Sequence, residues 1–272
     1  MHRFKYKGRH LYCEDVRVSD IVRDVGTPAF IYSKNTLLDH YRKIERALGE
    51  LRPLICFSVK SNSNLSVLRT LVDSGAGLDI VSGGELYRAR LVKADPKKIV
   101  YAGVGKKKEE IIEAIRYGIF FFNFESHEEL ELINRCARAL KRKVNVAIRI
   151  NPDVESGTHK YITTGKKETK FGIDFKTAKE ILRSSWKYRN VNINGVHLHI
   201  GSQILSPRPF EAALKKVLAF LEKNKLYMEY LNIGGGLGIV YSFEKPQTAS
   251  GFARRIIPLV KKTGLKLILE PG

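Results

Sequence analysis

Eight short runs rich in β-branched and aromatic residues recur along the chain, with stretches of helical periodicity between them. The runs are Leu54–Val59, Leu78–Val81, Ile99–Ala102, Phe120–Phe124, Val144–Ile150, Ile193–Ile200, Tyr230–Ile233 and Leu265–Leu269. Between them, Leu65, Leu68, Leu71 and Val72 form one apolar stripe, Ile111, Ile112 and Ile115 another, and Leu130, Leu132 and Ile133 a third. Phe210, Leu214, Val217, Leu218 and Leu221 share one face of a 3.6-residue helix. The runs show little internal alternation, as parallel strands covered on both faces should. Eight strands with seven helical connections predict an α/β fold, a (β/α)8 TIM-type barrel, with a doubly wound sheet as the other reading of the same count.

Polar and glycine residues favour the barrel, because they cluster just after strand after strand. Lys60-Ser61-Asn62, Ser82-Gly83-Gly84-Glu85, Gly103–Lys106, Asn151-Pro152-Asp153, His199–Gln203, Gly234-Gly235-Gly236 and Glu270-Pro271-Gly272 all follow apolar runs. In a barrel they converge on one mouth, where such folds build their sites. Gly272 comes directly after the eighth run. The expectation is therefore a barrel lacking its final helix, in a sequence that is a fragment or continues elsewhere.

Residues 1–26 differ from the rest. Phe4–Tyr12 alternates around a turn signal at Gly8, which suggests a short hairpin or extended segment, and Asp20–Val25 reads as a helical turn ended by Gly26-Thr27-Pro28. The predicted division is thus an N-terminal segment over 1–26 and a barrel over 27–272.

Several classes are excluded. No apolar run approaches the ~20 residues of a membrane span, and Met1–Lys5 does not open a signal peptide. A cytoplasmic protein is expected. Cys13, Cys56 and Cys136 are odd in number and far apart, so neither a disulfide framework nor a metal pair is expected. The 48 Lys and Arg against 28 Asp and Glu give a formal charge of +20. The basic residues are dispersed and often followed by acids, as in Lys106-Lys107-Lys108-Glu109-Glu110, so they read as a solvated surface and no specific nucleic-acid partner is expected.

Four features carry chemistry. Lys60 ends an apolar strand, where desolvation in a barrel mouth would favour the neutral, nucleophilic amine, although a lysine snorkelling from a strand end fits equally. Gly234-Gly235-Gly236-Leu237-Gly238 suits a loop whose backbone N–H groups close on a phosphate, or a tight turn. His197 and His199 lie two apart on one strand and so face one side, with no third residue at zinc spacing. Glu270 would be buried in the mouth and needs a cationic partner, either a protonated heteroaromatic nitrogen of a cofactor or a nearby lysine or arginine. Gly103-Val104-Gly105-Lys106 is too short for a P-loop and reads as a βα loop, and Asn151–Gly172 as a long loop over the mouth.

Taken in order, these segments resemble the group-IV pyridoxal-phosphate-dependent decarboxylases with an alanine-racemase-like barrel, and among them the diaminopimelate decarboxylases. The resemblance runs from Gly26-Thr27-Pro28 through Phe57–Asn62, Gly77–Glu85, Tyr101–Lys106, Arg149–Val154, Thr158-His159, Thr163-Thr164-Gly165, Lys170–Ile173, His197–Gln203 and Gly234-Gly235-Gly236 to Glu270-Pro271-Gly272. It implies that Lys60 holds pyridoxal 5'-phosphate as a Schiff base and that His199 stacks on its ring. Ser202, Gly234, Gly235, Gly236 and Gly272 would lie at the cofactor, and Glu270 would keep the ring nitrogen protonated. Asp79 and Arg149 match family positions near the site. The implied catalytic residues are Lys60, His199 and Glu270, with no metal.

The resemblance further implies decarboxylation of meso-diaminopimelate to L-lysine, as the last step of lysine biosynthesis, by a homodimer. A decarboxylase of another basic amino acid or carboxylated polyamine, or a non-catalytic pyridoxal-phosphate barrel, shares the same fold. Departures are Ser61 for the family's alanine, Lys160 for its proline, and no arginine after Glu270-Pro271-Gly272. The family's C-terminal β-domain, which would pair with Phe4–Tyr12, is also missing. The 272 residues alone are accordingly expected to bind cofactor at best, with little turnover.

Overall fold

A computed structural model describes residues 3–154 and 171–272. The segments Thr158-His159 and Thr163-Thr164-Gly165, with Lys160 and Lys170, lie outside the described residues. The chain opens with β1 (Phe4–Lys7), β2 (His10–Cys13), β3 (Val16–Arg17), α1 (Val18–Val25) and α2 (Lys34–Ala47). It continues with β4 (Leu54–Ser58), α3 (Leu65–Val72), β5 (Gly77–Ile80), α4 (Gly83–Leu91), β6 (Ile99–Tyr101), α5 (Lys108–Tyr117) and β7 (Phe121–Phe124). Then come α6 (His127–Ala139), β8 (Val144–Arg149), α7 (Phe175–Arg183), β9 (Val191–His197), α8 (Arg208–Lys223), β10 (Tyr230–Asn232), α9 (Ala249–Lys261) and β11 (Lys266–Leu269). Strands β4 to β11 close into a parallel barrel in the order β10-β11-β4-β5-β6-β7-β8-β9.

The expected hairpin forms: β1 and β2 pair antiparallel with Phe4 opposite Cys13, and β3 adds to β2. The Phe4 strand therefore has a sheet of its own within the chain.

Helix α2 precedes the barrel, yet it packs between α9 and α3, with Tyr41, Ile44 and Ala47 against the large core. Its N-cap is Ser33, whose hydroxyl accepts from Thr36 N–H. Leu37, Leu38, Tyr41 and Ile44 give α2 a helical spacing that its charged residues obscure.

The strands alternate after all, but in layers. Outward residues such as Leu78, Ile80, Phe122, Phe124, Val146, Ile148, Leu231 and Leu269 join the large core beneath the helices. Inward residues form a smaller apolar floor of Cys56, Val100, Phe121, Ala147 and Ile268. Gly195 makes room there, since a Cβ at that position would lie 3.0 Å from the Phe121 ring. One pleat further along, the inward residues become polar: Ser58, Asp79, Asn123, Arg149, His197, Asn232 and Glu270 are all buried. This polar layer positions the site.

Candidate cofactor site at the barrel mouth

Buried polar groups need partners, and the layer supplies them across strands. Glu270, 6% exposed, follows β11. Its Oε1 accepts from Asn123 Nδ2 at 2.8 Å and Asn232 Nδ2 at 2.5 Å. Its Oε2 lies 3.3 Å from His197 Nε2. Asn232 is itself oriented, because Gly234 N–H donates to its Oδ1 at 2.9 Å. Burial alone would push the Glu270 carboxyl up, but His197, the asparagine hydrogen bond and Lys60 together take it down to about 2. Within the protein the side chain at Oε2 is thus His197, and not the lysine or arginine expected beside Glu270.

Asp79, fully buried on β5, accepts from Ser58 Oγ at 2.6 Å and faces Lys60 Nζ at 3.5 Å. Its other oxygen has no hydrogen-bond partner among the described residues. Burial first, and the charge of Glu270 second, push its carboxyl up to about 7. Two neighbouring carboxyl groups thus differ in charge, as their surroundings dictate.

Lys60 sits in a single helical turn after β4, and its side chain is 56% exposed. The expected desolvation is therefore absent: the amine stands in the open mouth, tethered to a buried carboxyl. Ser61 Oγ donates to Ser58 O at 2.7 Å. Ser58 N–H donates to Pro271 O at 2.8 Å, and a Cβ on Gly272 would lie 3.0 Å from Ser61 Cβ. Residues 270–272 and 58–61 are consequently one packed unit.

The glycine run is explained by close approach of backbones. Gly236 has φ +94°, and a Cβ there would fall 2.0 Å from Gly201 O; one on Gly235 would fall 2.1 Å from Glu270 O. Only glycine brings the three loops after β9, β10 and β11 together. His199 Nδ1 lies 3.3 Å from Gly235 N–H and accepts from it. Burial, with Arg149 next, takes the His199 ring down to about 3, so a neutral imidazole faces the mouth at neutral pH. Ser202 is exposed beside this loop. Gln203 ties it to Ile239 by two hydrogen bonds of 2.6 and 2.9 Å.

Arg149 lies in the same layer but is engaged with Glu125 Oε1 at 2.5 Å. Glu125 Oε2 accepts from Gly172 N–H at 3.2 Å, so this pair anchors the chain's return to β8. Lys106 is wholly buried and donates to Gly103 O, Asn123 O and Glu129 Oε1; it is a staple within the βα loop. Ser58, Asn123, Asn232 and Glu125 were not among the candidates, and His197 was weighed only as a metal ligand or a packed strand histidine. Their signal was a polar residue next to the end of each apolar run, in Phe121-Phe122-Asn123-Phe124 and Tyr230-Leu231-Asn232-Ile233. A cavity of about 570 Å³ lies elsewhere, on the outer wall between α2, α3 and α4, lined by Lys34, Leu65 and Arg69.

The residues present fit pyridoxal phosphate: an accessible amine, an anionic carboxylate, a neutral ring and a glycine loop share one mouth, beside a buried Asp79 oxygen that no described residue partners. Comparison with known proteins agrees. Residues 34–272 match the family model described as pyridoxal-dependent decarboxylase, pyridoxal binding domain. The chain is similar to diaminopimelate decarboxylases of Vibrio cholerae (40% identity, all of this chain and 66% of that protein) and Aquifex aeolicus (40%, 98% and 64%). It therefore spans about two thirds of the length of these curated relatives. Among solved structures, the diaminopimelate decarboxylase of M. jannaschii superposes with TM-score 0.91 at 36% identity, over 99% of this chain and 66% of that one. That of Helicobacter pylori, complexed with L-lysine, gives 0.89 at 35%, over 94% and 66%. A lysine decarboxylase of Selenomonas ruminantium, 21% identical with TM-score 0.82 over 97% of this chain and 67% of that one, shares the fold. The chain belongs to the pyridoxal-dependent decarboxylases and carries their pyridoxal binding domain, with pyridoxal phosphate as its cofactor.

Proposed function

We propose that the chain is the cofactor-binding part of a decarboxylase that converts meso-diaminopimelate to L-lysine and CO2. One observation carries the reading: Lys60, Asp79, His199 and Glu270 share one mouth in a chain 40% identical, along its whole length, to a diaminopimelate decarboxylase. When bound, the cofactor supplies an electron sink for the pair released as CO2 leaves. The protein's part is attachment and electrostatics. Lys60 Nζ would hold the cofactor through its aldehyde, with Asp79 beside it to hold or accept a proton. His199 would serve the ring as a neutral imidazole. Glu270 would supply the anion that keeps the ring nitrogen protonated. Ser202 and the loop Gly234-Gly235-Gly236, with Gly272, would hold the phosphate, and Arg149 lies in the same buried layer.

By the same reading, residues 1–26 form a separate N-terminal segment and 27–272 the barrel, in a cytoplasmic homodimer. Sedimentation of the chain tests the last point. The substrate is tested by loading the chain with pyridoxal phosphate and adding meso-diaminopimelate, L-lysine, L-ornithine or L-arginine. The visible spectrum and CO2 release are followed. Diaminopimelate should perturb the spectrum at the lowest concentration; a response to ornithine or arginine with none to diaminopimelate overturns the assignment.

A further inference from the structure

Three barrel strands aim side chains at one carboxylate. Asn123 from β7 and Asn232 from β10 both donate to Glu270 Oε1, while His197 from β9, 1% exposed, stands 3.3 Å from Oε2. The histidine does not make the kind of contact expected of a packing residue. Among the described residues neither ring nitrogen makes a hydrogen bond, and its Nε2 lies 3.3 Å from Oε2, the one Glu270 oxygen the asparagines leave open. Leucine or valine would fill the same space without an orphaned nitrogen.

We propose that His197 is a positioning residue: with the asparagines on Oε1, it holds Glu270 in one orientation and as an anion, the form a protonated cofactor ring nitrogen requires. This rests on the cofactor reading above. Other groups near Glu270 are Asp79 on β5, Lys60 after β4, His199 beyond β9 and the buried Cys56 thiol on β4. Asp79 opposes ionisation of Glu270, Lys60 favours it from an exposed position, and Arg149 is engaged with Glu125. Of the influences that lower the Glu270 carboxyl against burial, His197 is the foremost.

The test starts with the cofactor-free chain carrying 13C at glutamate carboxyls, with Glu270 assigned through E270Q. In the unaltered chain Glu270 should remain an anion at pH 4, where an ordinary glutamate is about two-thirds protonated. In H197Q, which keeps a neutral donor, its midpoint should rise by at least about one pH unit, with the circular dichroism of the fold retained. An ordinary midpoint in the unaltered chain, or an unmoved one in H197Q, overturns the proposal. Should H197Q not fold, H197N is titrated in its place, with the same rise expected and an unmoved midpoint overturning the proposal. The second readout is the 15N resonance of ring-labelled pyridoxal phosphate. The nitrogen should be protonated in the unaltered chain and measurably deprotonated in H197Q, with roughly tenfold or more weaker cofactor binding. If no pyridoxyl group forms at Lys60, the cofactor reading fails, while the Glu270 titration still judges His197.

Discussion

Replacing Lys106 by methionine removes an ammonium group that solvent does not reach. Its Nζ donates to Gly103 O at 2.7 Å, Asn123 O at 2.8 Å and Glu129 Oε1 at 2.6 Å, with side-chain exposures of 0% for Lys106 and 10% for Glu129. Methionine roughly matches the lysine stem in volume, so the damage is electrostatic: two carbonyls and a carboxylate lose their shared donor. Glu129 then keeps the Glu125 N–H at 2.9 Å on its other oxygen. Removing one member of a buried pair costs about 3–5 kcal/mol. At about 2–4 °C per kcal/mol for a chain of this size, K106M should melt roughly 6–20 °C lower. Adding Glu129→Gln replaces the stranded carboxylate by a neutral amide that still accepts from Glu125 N–H. The double variant should therefore be more stable, by about 1 kcal/mol or more, than the summed effects of the two single changes. Thermal and urea unfolding of the four chains measures this. A K106M midpoint within about 2 °C of the unaltered chain, or strict additivity, would refute the assignment of Lys106 as an internal staple.

Asp79→Asn should flatten the pH dependence of stability. The Asp79 carboxyl is pushed up to about 7 in the folded chain, against about 3.9 unfolded. Between these values only the folded state holds the proton, so stability falls as pH rises, by up to on the order of 4 kcal/mol. Urea midpoints from pH 4.5 to 8 should fall less steeply in D79N; an equal slope contradicts the account of this carboxyl. Gly235→Ala places a Cβ against Glu270 O and should weaken pyridoxal phosphate binding by roughly tenfold or more, as read by fluorescence titration. Unchanged affinity would show that the loops can separate freely. Glu125→Gln, which leaves Arg149 buried without its anion, should destabilise the fold by about 3–5 kcal/mol, whereas the same loss from the double variant with Arg149→Met should be smaller. Equal losses would show that the pair is not coupled.

The barrel was readable because its eight β-branched runs and the 3.6-residue stripes of α3, α5, α6 and α8 announce themselves locally. Lys60, His199 and Glu270 stood out by position at strand ends, and Asp79 only through the family resemblance. Helix α2 was not, because the reason for its place is tertiary: it packs against α9, near the other end of the chain. The pairing around Glu270 escaped for the same reason. Asn123 and Asn232 look like ordinary polar residues inside a strand, His197 was singled out only beside His199, and only the barrel's pleat brings the three to one height. Desolvation of Lys60 was expected from its strand, but exposure depends on how far the mouth opens, which no local pattern records.

Borohydride trapping most directly tests whether this barrel builds the cofactor site. The chain is incubated with pyridoxal phosphate, reduced and digested, and the pyridoxyl group is located by peptide mass spectrometry. Modification at Lys60 alone, among the many lysines, is the expected result, with K60A unmodified. Labelling scattered over surface lysines, or none at Lys60, would contradict the assignment of the mouth as the pyridoxal site.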